Sequence, residues 1–161
     1  MNNIIGHNNG QNILLVGIGN VLKKDDGVGV YISQHIGPVA RVKALTVEMS
    51  IENYIGKINT LNPEVLILAD CMDLGAAPGH WDLKAATDIA GHTTNTHNIS
   101  LEQVSQLFHC PVYFLGIQPL DISFGEGLSP QVRKTADALV EKINRIGDEW
   151  PATELLNNQH I

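Results

Sequence analysis

The sequence predicts an α/β fold, with a mostly parallel sheet carrying helices on both faces. Three observations lead there. The runs ILLVGI (13–18), VLILA (65–69) and VYFLGI (112–117) are short, apolar and uninterrupted, as in strands buried on both faces. Between them lie segments whose apolar residues recur every three or four positions, the period of one helix face. The two kinds alternate in the order βαβαβ…αβα, which needs crossover connections and therefore parallel strands.

Each element follows from its own residues. After the run 13–18, Val28, Ile32 and Ile36 step by four and mark a helix face. VKALTVEM (42–49) is rich in β-forming residues. Ile51, Tyr54, Ile55, Ile58 and Leu61 return to helical spacing, and Pro63 stops them. The strand 65–69 follows, then a short extended piece at HWDLK (80–84). Ser100, with Gln103 three residues on, has the form of a capping box and starts a helix towards Phe108. Beyond the strand 112–117, Ser129 and Pro130 form a cap and first-turn proline. Val132, Ala136, Leu139 and Ile143 then trace the buried face of a long final helix. The expected organisation is one domain over 1–161, with a loose leader at 1–11 and a polar tail at 148–161.

Composition narrows the function. Hydrophobic residues make up 43% of the 161, enough for a full core, and the net charge of −7 argues against a nucleic-acid binder. No apolar run reaches the roughly 20 residues that span a bilayer, so no membrane insertion is expected. The N-terminus lacks a basic region followed by an apolar one, so the cytoplasm is the expected compartment. Two cysteines, Cys71 and Cys110, with no CxxC, suit neither a disulfide framework nor a thiolate zinc site.

Open α/β sheets place ligands beyond the carboxyl ends of their strands. Three polar stations lie there: Asp25 and Asp26 after the first strand, Asp70 with Asp73 after the third, and His97 in GHTTNTHNIS. They are far apart in sequence and match no linear metal motif, so only the fold can bring them together. Two carboxylates and an imidazole suit a borderline divalent metal such as zinc or nickel, or acid–base work on water. Each has a plainer reading. Asp26 is also a good helix N-terminal acid, Asp25 a turn or cap residue, Asp73 a turn stabiliser and His97 a hydrogen-bonded loop histidine. His7, His35, His80, His109 and His160 read as surface or structural, and His92 competes weakly with His97 because it shares that loop. Cys71 reads as a small buried residue with nothing nearby to stabilise its thiolate.

The loop GIGNVLKKDDGVGV (17–30) also admits a nucleotide reading. Gly17 and Gly19 supply the first two glycines of a dinucleotide fingerprint, and Glu48 lies where a ribose-binding acid would. The third glycine position holds Leu22, and Asp25 and Asp26 offset Lys23 and Lys24. From the residues alone, a metal-assisted hydrolase and a nucleotide-binding module both stand.

GIGNVLKKDDGVGV, LADCMDLGAAPG (68–79), THN (96–98) and FLGIQP (114–119) together resemble the hydrogenase maturation endopeptidases. The resemblance runs from about Asn12 to the final helix and is strongest to the branch serving formate-hydrogenlyase or related membrane-bound hydrogenases. It implies a three-layer αβα sandwich around a twisted, mostly parallel sheet of about five strands. It implies an endopeptidase that trims the C-terminal extension from the large-subunit precursor of a nickel–iron hydrogenase. On this resemblance Asp26, Asp70 and His97 are the catalytic and metal-contacting residues. The nickel arrives with the precursor, no nucleotide is used, and the enzyme is a monomer when free. A nickel-dependent checkpoint that binds the precursor without cutting it is the non-enzymatic alternative. The chain departs from the family pattern at Met49 and Ser50, where two glycines are frequent, and at Cys71, where alanine is usual.

Overall fold

A computed structural model describes residues 12–38, 41–88 and 101–146. Five strands form one sheet: β1 (Ile13–Ile18), β2 (Val42–Glu48), β3 (Val65–Cys71), β4 (Trp81–Ala85) and β5 (Val112–Ile117). Their spatial order is β2-β1-β3-β5-β4. The β1–β2, β1–β3 and β3–β5 pairs are parallel, and β4 runs antiparallel along β5. Among the described residues four α-helices accompany the sheet: α1 (Val28–His35), α2 (Ile55–Leu61), α3 (Leu101–Ser105) and α4 (Pro130–Ile146). This is the α/β sandwich that the alternating pattern predicts.

Side chains alternate across a strand, so every buried strand feeds two apolar layers. Ile13 and Leu15 of β1 and Val65, Ile67 and Ala69 of β3 join Val28 and Ile32 of α1 and Val132, Ala136, Leu139 and Ile143 of α4. Leu14, Val16 and Ile18 of β1, Leu66 and Leu68 of β3 and Phe114 of β5 point the other way, onto Ile58 of α2 and Val104 beside Phe108. The four α4 residues are 0–2% exposed, and full burial of a Val, Leu or Ile side chain stabilises by about 1.5–3 kcal/mol.

Several ends differ from the sequence reading. β3 continues through Asp70 to Cys71, two residues beyond the apolar run 65–69. The helix after β2 opens with a 3₁₀ turn, Ile51–Tyr54, before α2 proper. α2 ends when Asn62 adopts a left-handed conformation (φ 51°) and its amide donates back to Ile58 and Asn59 carbonyls; Pro63 follows this stop. α3 is shorter than its pattern suggests, ending at Ser105. The leader, the tail, Ser100 and the whole of the 89–100 loop with His92 and His97 lie outside the described residues. Among the described residues no helix is long and apolar enough to cross a membrane.

Candidate acidic site at the strand ends

The loop after β1 is set by two close approaches. Gly19 has φ 143°, and a Cβ there would land on the Asp26 carbonyl oxygen. Gly29, at the start of α1, lies against the Ile18 and Ala69 carbonyls, with no room for a side chain. The end of β1 and the start of α1 are therefore pressed onto the end of β3. Between them the 3₁₀ turn Lys24–Gly27 carries Asp25 and Asp26.

The two acids of that turn do different work. Asp25 is fully buried. Its Oδ2 accepts the amides of Leu120 (2.9 Å) and Asp121 (3.0 Å) and the Ser129 hydroxyl (2.8 Å), and its Oδ1 accepts the Ser129 amide (2.7 Å). It thus ties the β5–α4 connection to the β1 loop. Ser129 does stand at the start of α4, where its carbonyl accepts the Arg133 amide, but its hydroxyl is spent on Asp25. Asp26 is half-buried, and the Asn20 amide donates to its Oδ2 (3.1 Å).

Asp70 is 1% exposed. By strand alternation it points to the α2–α3 side of the sheet, opposite to Ala69 and Cys71. Its Oδ1 accepts the Cys71 amide (2.7 Å), while Oδ2 is buried with no hydrogen-bond partner. Burial first, and the neighbouring Asp26 charge second, push its pKa well above the ordinary carboxyl value. The structure therefore brings Asp26 and Asp70 within electrostatic reach of each other. His97 falls outside the described residues.

The remaining candidates take structural roles. The Asp73 Oδ1 accepts the Gly75 amide (3.1 Å), an Asx turn, as expected. The Cys71 thiol is pushed far up, by burial first and then by the Asp70, Asp26, Asp25 and Asp73 charges, which disfavours its thiolate. His35 stacks on Tyr31, and His80 and His109 lie at the surface. Among the described residues no group of three His, Cys, Asp or Glu side chains is poised to hold a metal ion. Of the two lysines in the β1–α1 loop, Lys24 Nζ pairs with Asp121 Oδ2 (2.8 Å), and Lys23 Nζ lies 5.9 Å from the Phe124 ring centroid.

Gln118 has a role that the sequence reading did not assign. Its Oε1 accepts the amides of Leu74 (2.5 Å) and Ala76 (3.4 Å), and its own amide donates to the His80 carbonyl (2.8 Å). It clamps the loop leaving Asp70 against the end of β5. The FLGIQP segment carried the signal, although nothing local to it reveals the partner.

The chain is similar to known proteins in sequence and in fold. A family model described as hydrogenase maturation protease, HycI, matches residues 33–146. The hydrogenase expression/formation protein HupD of Bradyrhizobium diazoefficiens is 27% identical over 159 residues, covering 88% of this chain and 80% of that protein. The endopeptidase HycI of Escherichia coli superposes with a TM-score of 0.73 at 25% identity, covering 83% of this chain and 90% of that one. The HycI protease of Thermococcus kodakarensis shares the fold, with a TM-score of 0.75 at 24% identity over 84% and 92% of the two chains.

Proposed function

The chain belongs to the hydrogenase maturation protease family, and from that premise we propose that it is an endopeptidase removing the C-terminal extension of a nickel–iron hydrogenase large-subunit precursor. The nickel is part of the substrate, already inserted in the precursor, and it is what the site recognises. The protein acts in the cytoplasm and is a monomer when free.

The observation that carries this reading is the Asp70 carboxyl, buried beside Asp26 with one oxygen unpartnered. Burial first, and repulsion from the Asp26 charge second, favour the neutral form of the Asp70 carboxyl. A divalent cation reverses that balance, since it favours both ionised forms. His97 is the fourth residue before Leu101, and α3 begins a segment whose Val104 packs on the face to which Asp70 points. This supports an oxygen-and-nitrogen ligand set of Asp26, Asp70 and His97, suited to nickel. The bound cation would polarise the scissile carbonyl or its attacking water, and a carboxylate oxygen left free of it would accept the water's proton.

The test is to incubate nickel-loaded and nickel-free precursor with the protein and weigh both by mass spectrometry. Loss of a C-terminal peptide from the loaded form alone is expected. Equal cleavage of the two forms would remove nickel from the recognition step. A stable complex at unchanged mass would make the protein a checkpoint and not a protease.

A further inference from the structure

The exposed apolar side chains are unevenly distributed. Among the described residues, the large ones are Val21, Leu22, Met49, Leu61, Leu107, Leu120, Ile122 and Phe124. All but Leu61 and Leu107 lie in the loops that follow β1, β2 and β5, at the carboxyl end of the sheet beside the two acids. Phe124 is 80% exposed. Soluble proteins seldom concentrate such residues without a partner.

This apolar ledge is wired to the acids. The Gly125 amide donates to the Leu22 carbonyl (2.9 Å), and the Lys24 amide donates to the Gly125 carbonyl (2.9 Å). The Leu22 amide donates to Asn20 Oδ1 (2.9 Å), and the Asn20 amide donates to Asp26 Oδ2 (3.1 Å). From the other side, Asp25 holds the Leu120 and Asp121 amides. Hydrogen bonds thus run from the Asp26 carboxylate to the backbone beside Phe124, so whatever sits on the ledge is placed in register with the acids.

We propose that Leu22, Leu120, Ile122 and Phe124 form an exosite that docks an apolar surface of the precursor polypeptide, away from the scissile bond. This deepens the proposed function and rests on it. The occupant is argued from continuity with the acidic site and from charge. A second copy of this chain brings another −7 to the interface, which self-repulsion opposes. Ile146 closes the 17-residue α4, about 25 Å along the helix from Pro130 and remote from the ledge.

The experiment compares wild type, Phe124→Ser, the Ile122→Ser/Phe124→Ser pair and Phe124→Leu on nickel-loaded precursor, reading kcat and KM separately. Both substituted positions, Ile122 and Phe124, are exposed, so the variants keep the fold. The serine pair should raise KM at least tenfold with kcat within about twofold, and Phe124→Leu should restore most of the loss. Unchanged KM in the serine pair, with wild-type cleavage intact, overturns the exosite and leaves the protease reading standing. No cleavage by any form, wild type included, defeats the protease reading and the exosite with it. A wild-type dimer in sedimentation that the serine pair makes monomeric would assign the ledge to a second copy. Faster processing after truncation at Ile146 would assign it to the tail. Either result overturns the proposal.

Discussion

At the scale of single residues, adjacent acids have opposite economies. Asp25 gathers four hydrogen bonds in a buried place, so removing it leaves three backbone amides and a hydroxyl without their acceptor. Asp25→Ala should cost at least ~3 kcal/mol in urea unfolding, because each buried group left unpaired costs about 1–3 kcal/mol. Asp26→Ala, at a half-buried position, should change stability by less than about 1 kcal/mol. Equal losses for the two would refute this division of labour. Asp70 is destabilising where it stands. Its folded-state pKa is raised, so the native state binds a proton more tightly than the unfolded chain, and stability falls as pH rises above the ordinary aspartate range. Asp70→Asn should therefore match wild type most closely near pH 4. It should gain on wild type by up to ~1.4 kcal/mol per pH unit until the folded-state pKa is passed. Thermal melts across pH check this, and a constant difference would contradict it. The same shift means that kcat/KM, which reports the free enzyme, should fall as acidification protonates Asp70, at a pH above that of an exposed aspartate.

At the scale of elements, the close approaches of the β1–α1 turn matter most. Gly29→Ala would drive a methyl group into the Ile18 and Ala69 carbonyls, and α1 would have to lift off the sheet. A loss of about 2–3 kcal/mol or more is expected, since overpacking a tight contact costs about 1–3 kcal/mol even where side chains can yield. Gln118→Ala should cost about 1–2 kcal/mol and speed amide exchange at Leu74 and Ala76, which lose their acceptor. Hydrogen exchange confined to other loops would contradict the clamp. This scale also shows what the sequence could reveal. Apolar runs gave β1, β3 and β5, and helical spacing gave the buried face of α4, because burial on both faces leaves a local imprint. The direction of β4 left none. It runs antiparallel because the short link 72–80 has no helix to carry the chain back across the sheet before the next strand begins. Asp70 is buried more deeply than a carboxyl straight after an apolar run suggests, because β3 runs on through Cys71. Asp25 was read as a turn or cap residue because its true partners lie about a hundred residues onward, and nothing in its own neighbourhood reports them.

At the scale of the molecule, the carboxyl end of the sheet collects the chemistry. The loops after β1 and β3 supply Asp26 and Asp70, the β5–α4 connection locks the first of these loops through Asp25, and the apolar ledge adjoins them. The central claim is that Asp26, Asp70 and His97 act as one cation seat in the processing of a nickel-loaded precursor. The most direct measurement is the mass of that precursor after incubation with wild type, Asp26→Ala, Asp70→Ala and His97→Ala, each shown folded by circular dichroism. Wild type should release a C-terminal peptide, and each variant should slow release at least a hundredfold. Wild-type release by any one of the three variants would contradict the claim.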